Sequence, residues 1–140
     1  MELQITPQQV FEAMWEKDRF SAWLDLKADQ IEEGHCRLHF KIRAEMLNGF
    51  GSAHGGVIFA AADSAFAFAC NSHGLLTVAL EVSINYTRPV KLHDTLFIDA
   101  QEIYRGNKTG LYEVRVTNEK NELVALFKGT AYRTSKTIGH

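Results

Sequence analysis

Proline and cysteine are both scarce in this sequence, with two of each in 140 residues. Cys36 and Cys70 are too few for a disulfide framework, and Cys70 lies in an apolar run, so buried, reduced thiols and a cytoplasmic setting are expected. Neither sign of charge is in excess: the net charge is −2. That excludes the basic surplus of a nucleic-acid binder and leaves room only for a local basic patch facing a phosphorylated ligand. The longest apolar run is interrupted by Asp63 and is too short to span a bilayer. The start, MELQITPQQV, has no basic region followed by an apolar stretch, so no secretory signal is expected. Histidines at helical metal-ligand spacing are missing too. His35 and His39 on a strand fall on one exposed face, and no metal site is expected there. Repeats, low-complexity tracts and linkers are absent. What is present, 46% hydrophobic residues in a chain of this length, fits one soluble domain over residues 1–140 with one core.

The first element reads as a helix over about residues 6–17. Thr6 is placed to cap it, Pro7 suits the first helical position, and Gln9 completes a capping-box spacing. Asp18 to Trp23 reads as a turn or a short helical piece. Leu24, Leu26 and Ala28 alternate with charged residues, as do Cys36, Leu38, Phe40 and Ile42. These period-two runs, separated by the Glu33-Gly34 turn signal, predict a hairpin. A glycine-bearing loop, 44–53, leads into a strongly apolar segment. The length of that segment and its many alanines predict a helix over about residues 54–73, stopped by Gly74. Four further strands are expected: one through Val78 to Tyr86 ended by Pro89, one from Thr95 to Tyr104, one around Tyr112 to Val116, and one from Leu123 to Tyr132. The fold class is α+β, with one mostly antiparallel sheet burying the long helix. That helix carries more apolar surface than one sheet hides, which predicts a second subunit.

Between Val57 and Cys70 only Asp63 and Ser64 are polar. An acid isolated in such a run is either solvent-facing, paired with a base, or held in an apolar pocket with a raised pKa, where it accepts a proton or attacks an acyl carbon. Phe59, Phe66 and Cys70 share its helical face and are expected to line that pocket. His54-Gly55-Gly56 opens the helix. Its glycines allow close approach of a ligand, and first-turn N–H groups at the positive end of the helix dipole form a site for a developing oxyanion. Read as structure alone, the same glycines make a tight loop and His54 a cap. Gly56 and Asp63 stand seven residues apart, roughly 10 Å along the axis. One carbonyl is not easily polarised by the first and attacked from the second within one chain. Two antiparallel copies of the helix bring Asp63 of one to Gly56 of the other, giving two shared sites per dimer. Asn48 either orients the water or the carbonyl, or simply forms the turn beside Gly49. Glu81 could approach the site from the strand after the helix. Arg88, Lys91, Arg105 and Lys108, at strand ends and in loops, could contact phosphates. Ser64 lacks the partner spacing of a serine nucleophile.

The segment AEMLNGFGSAHGGVIFAAADSAFAFACNSHG, with SINYTRPV and the final LVALFKGTAYR, resembles the hot-dog-fold acyl-CoA thioesterases of the phenylacetic-acid-degradation type, over about Ala22 to Arg133. The resemblance implies a hot-dog sheet wrapped around the central helix and a homodimer, commonly paired into a homotetramer. It implies hydrolysis of acyl-CoA thioesters, with phenylacetyl-CoA or its ring-hydroxylated derivatives as substrates, and no cofactor beyond the coenzyme A of the substrate. Carried over by position, Asp63 is the general base or nucleophile, the Gly56 N–H polarises the carbonyl, and Asn48 positions the water or the carbonyl. His54, Gly55, Phe59, Glu81, Arg88 and Lys108 are the expected substrate contacts. Ala67 stands where some relatives carry a hydroxyl one turn after the carboxylate, and Glu81 stands near where others have Ser or Thr. Two alternatives stay open from the residues. One is a hot-dog hydratase or dehydratase with His54 as its histidine. The other is a non-catalytic acyl-CoA-binding or sensor protein.

Overall fold

The computed structural model describes residues 5–138. Two short helices, α1 (Pro7–Trp15) and α2 (Arg19–Leu24), precede a hairpin of β1 (Lys27–Glu32) and β2 (His35–Lys41). A single 3-10 turn, Ala44–Met46, leads through the glycine loop to α3 (Gly55–Asn71). Four strands follow: β3 (Leu75–Tyr86), β4 (Thr95–Arg105), β5 (Thr109–Thr117) and β6 (Leu123–Thr137). They form one six-stranded sheet in the order β1-β2-β4-β5-β6-β3, and every pairing is antiparallel. The helix packs against β2, β3, β4, β5 and β6, so the sheet curls around it. This is the hot-dog arrangement.

The core follows from strand alternation. Leu38, Ile98, Val114 and Phe127 point inward from successive strands and are fully buried, while their neighbours in sequence face outward. Phe66 of α3 meets this surface edge-on against Tyr112 at 5.5 Å and beside Phe127 at 5.6 Å. Gly129 makes that approach possible, since a Cβ there would sit 2.8 Å from the Phe66 ring. At the far end of α3, Asn71 is buried and donates to Ala67 O and Thr77 O while accepting from the Thr77 N–H. One side chain thereby fixes the turn from helix to β3.

Several expectations shift. The Thr6 capping box forms with Gln9 as expected, but α1 ends at Trp15. Leu24 and Leu26 do not share a strand. Leu24 closes α2, and Asp25 takes the left-handed conformation (φ 58°) before the chain extends. Both leucines are buried, so a helix end with a left-handed cap imitated a period-two pattern. The central helix also needs less cover from a second copy than its composition implies. Phe11 and Trp15 of α1 pack on Phe68 at 4.8 and 6.3 Å, and Ser21 of α2 hydrogen-bonds Ser64 at 2.8 Å. Along α3, Gly55, Gly56, Val57, Phe59, Ala60, Asp63, Ser64 and Ala67 stay at least partly open, and Gly56, Phe59, Ala60, Asp63 and Ala67 among them form one stripe. No helix among the described residues is long and apolar enough to cross a membrane.

Candidate active site

Asp63 lies midway along that open stripe. It is half-buried, and among the described residues it has no hydrogen-bonding or ion-pairing partner. Burial alone pushes its carboxyl above the usual Asp range. A carboxylate drawn partly out of water with no partner is costly to the fold. The pocket expected around it is built differently. Phe66 and Cys70 are buried in the core instead of lining an opening, and burial pushes the Cys70 thiol up to about 12. Phe59 packs on Phe127 at 5.6 Å with one side exposed. Of the three residues, only Phe59 reaches the open stripe, because the helical face shared by Phe66 and Cys70 turns onto the sheet.

The raised pKa sets a sign for stability. A carboxyl whose pKa is higher folded than unfolded stabilises the fold while both states are protonated, and that contribution is lost as pH rises through the folded pKa. Asp63→Asn should therefore raise the Tm by roughly 2–4 °C at neutral pH. The gain should vanish in acid, below the ordinary Asp value of 3.8. Thermal unfolding of both proteins across that range measures it, and a gain that persists in acid would exclude Asp63 ionisation as its source.

The helix start is more specific than its glycines alone indicate. His54 is the N-cap of α3, and its Nδ1 accepts from the Gly56 N–H at 2.9 Å. The N–H expected to polarise a substrate is thus already engaged. The Gly55 N–H, one residue earlier, has no partner among the described residues and is the open donor of the first turn. The Tyr86 hydroxyl, from the end of β3, donates to Gly55 O at 2.7 Å. Composition and spacing did not single out Tyr86. The available signal was a tyrosine on the inward-facing register of the strand that follows the helix.

Asn48 is similarly defined. Its Oδ1 accepts from the Phe50 N–H at 2.8 Å and the Ser52 N–H at 3.2 Å. The carbonyl end is used to hold the loop, and the amide Nδ2 is the end left to meet a ligand. Asn48, Gly55, Tyr86 and Arg88 all line one hollow of about 420 Å³. Arg88 reaches it while half exposed and paired with Glu122 at 3.2 Å.

Of the predicted residues only Asn48, Gly55 and Arg88 line this hollow; His54, Gly56, Phe59 and Asp63 lie outside it at the start of α3 or along that helix, and Glu81 and Lys108 lie further off. Glu81 pairs across from Thr130 on the outer face of the sheet, where it lines a second hollow of about 380 Å³ with Ser83, Leu111 and Lys128. Lys108 sits in the β4–β5 turn beside Thr109, whose row (Thr109, Tyr132, Val78) lies eight residues along β3 from Tyr86. That places it roughly 26 Å away within one protomer. His35 and His39 contact Asp99 and Asp29 at 2.6 and 2.8 Å on the outer face, and among the described residues no three His, Cys, Asp or Glu side chains converge as metal ligands.

Residues 50–125 match the family described as the Thioesterase superfamily. The chain is 40% identical over 126 residues to the acyl-coenzyme A thioesterase PaaI of Escherichia coli, covering 90% of each. Its fold superimposes on the solved structure of the Escherichia coli PaaI protein from the phenylacetic acid degradation operon. The TM-score is 0.92 at 39% identity, covering 94% of this chain and 96% of that one. It is also similar to a Streptococcus mutans protein solved bound to acetyl-CoA, with TM-score 0.77, 35% identity and coverage of 80% and 90%.

Proposed function

The chain belongs to the thioesterase superfamily, and from that premise we propose how its residues divide the work of a shared site. The protein is a hydrolase, an acyl-CoA thioesterase. Its preferred substrate in this proposal is phenylacetyl-CoA or a ring-hydroxylated phenylacetyl-CoA, by analogy with the relative from the phenylacetic acid degradation operon. The observation that carries the mechanism is a partnerless carboxylate, Asp63, on the open stripe of α3, two turns from an unengaged helix-start N–H at Gly55.

The Gly55 N–H donates to the thioester oxygen as negative charge develops on it, and the Asn48 amide supplies a second donor. Asp63, less solvated than a surface acid, is poised to take a proton from water as that water attacks the carbonyl carbon. The C–S bond then breaks, the acid leaves, and the coenzyme A thiolate is protonated. Direct attack by Asp63 through a mixed anhydride is the other route. A single turnover in oxygen-18 water separates them, because only the anhydride route leaves label in Asp63. The chemistry needs no cofactor beyond the substrate's own coenzyme A.

Gly55 and Asp63 are eight residues apart, roughly 12 Å along the helix, so the two halves belong to different protomers. The free edge of the sheet supports this. β3 is twelve residues long, ends the strand order, and carries one charged side chain, Glu81. Such an edge pairs readily with another strand. Antiparallel pairing of two β3 strands about a two-fold axis sets the helices antiparallel, brings Asp63 to the partner's Gly55, and carries Lys108 toward the same end. Two such dimers form the proposed homotetramer. The two free cysteines fit the cytoplasmic setting.

Release of coenzyme A from phenylacetyl-CoA, followed with a thiol reagent, tests the activity; tight binding without release would favour the sensor alternative. Co-expressed Asp63→Asn and Gly55→Pro chains test the sharing. Proline deletes the donor N–H and is tolerated at a first helical position. Half of the random dimers are mixed and each has one intact site, so about a quarter of wild-type activity should return. No recovery over either variant alone defeats the shared site.

A further inference from the structure

Two glycines in series at a helix start have the freest backbone of any pair, yet an oxyanion donor works only when it is aimed beforehand. The peptide unit joining Gly55 and Gly56 is held at both ends by side chains. Its carbonyl accepts from the Tyr86 hydroxyl at 2.7 Å, and its N–H donates to His54 Nδ1 at 2.9 Å. Each glycine is matched to one of these side chains. A Cβ on Gly55 would stand 3.1 Å from the Tyr86 oxygen, and one on Gly56 would stand 3.0 Å from His54 Nδ1. The two clamps also come from different parts of the fold. Tyr86 ends β3, which pairs with β6, while the His54 N–H is tied to Met46 O in the loop before the helix.

We propose that Tyr86 and His54 are positioning residues that clamp the Gly55–Gly56 peptide and thereby aim the Gly55 N–H at the substrate carbonyl. The inference rests on the reading above, in which the first turn of α3 polarises the thioester. It assigns the second glycine a different task from the first: Gly55 presents the donor, and Gly56 lets the imidazole lie close enough to hold it. Nδ1 is the accepting nitrogen of that bond, which leaves Nε2 as the ring nitrogen not committed to the clamp. His54 is therefore spent on geometry and is unavailable through Nδ1 as a base. Because one peptide is held at two points, losing either clamp frees it.

The test uses Tyr86→Phe, His54→Leu, His54→Asn and the double variant Tyr86→Phe/His54→Leu, each checked for an unchanged thermal transition. With phenylacetyl-CoA, Tyr86→Phe and His54→Leu should each lower kcat about tenfold with KM within about twofold, since aim matters most when charge develops. His54→Asn, whose side-chain oxygen can still accept at a cap, should retain a larger share of kcat than His54→Leu. The double variant should fall well short of the product of the single losses. Wild-type kcat in Tyr86→Phe, equal loss in His54→Asn and His54→Leu, or full additivity would overturn the clamp. Amide exchange at Gly56 in the ligand-free protein decides the matter separately from catalysis. It should quicken at least about tenfold in His54→Leu, and unchanged exchange overturns the clamp even if activity falls. Failure of the wild type to release coenzyme A from any acyl-CoA would instead defeat the thioesterase reading and leave the exchange result to stand or fall alone.

Discussion

Asp63→Asn should lower kcat on phenylacetyl-CoA by about 10²- to 10⁴-fold while moving KM by less than about threefold. The two side chains are nearly isosteric, and Asp63 has no partner to lose in the described structure, so the substitution removes basicity and little else. The contrast with the surrounding residues makes the expectation sharp. The neighbouring polar side chains of α3 are engaged: Ser64 bonds Ser21, and at the helix end Asn71 bonds Ala67 and Thr77. A carboxylate with neither water-like solvation nor a counter-charge raises the free energy of the folded protein at neutral pH. The gain in Tm expected of Asp63→Asn and its loss of turnover are therefore two readouts of one cost. Steady-state kinetics on a protein of verified fold measure the first effect. If kcat is little changed, or if KM rises by as much as kcat falls, Asp63 is a structural residue and the proposed mechanism is wrong.

Phe127→Ala should destabilise the fold by about 3–5 kcal/mol. Phe127 is fully buried at the point where the sheet meets the helix, with Phe59 and Phe66 each 5.6 Å away between ring centroids. It pairs with Ile84 of β3 on one side and Val114 of β5 on the other, so a cavity there is surrounded by strands and a helix that cannot close in. A loss of that size is a large fraction of the roughly 5–15 kcal/mol that holds an ordinary domain together. Denaturant titration should show a lower midpoint with an unchanged slope. Phe50→Ala is the matched comparison. Phe50 is 95% exposed at the tip of the glycine loop, and its removal should cost less than about 0.5 kcal/mol. Similar losses at the two positions would contradict the core described above.

Elements whose signals are local are legible without coordinates. The Thr6–Gln9 capping box, the long central helix, the β1–β2 hairpin and the last four strands could be read because capping, turn chemistry and side-chain periodicity act over a few residues. The same local reading marked Asp63 as anomalous, because a charge among alanines and phenylalanines is visible without coordinates. Where local signals were ambiguous, it failed: Leu24 and Leu26 alternate like a strand, but a left-handed Asp25 separates a helix end from an extended segment. Which side of α3 is covered, and by what, is set by long-range packing. The sheet claims Phe66 and Cys70, α1 and α2 claim Phe68 and Ser64, and the stripe holding Asp63 is left open, a choice made by packing among residues distant in sequence. The fold also decided that Gly56 holds a cap while Gly55 keeps a free donor. The tyrosine that bonds the Gly55 carbonyl stands thirty-one residues further along and is brought back only when β3 folds beside the helix start.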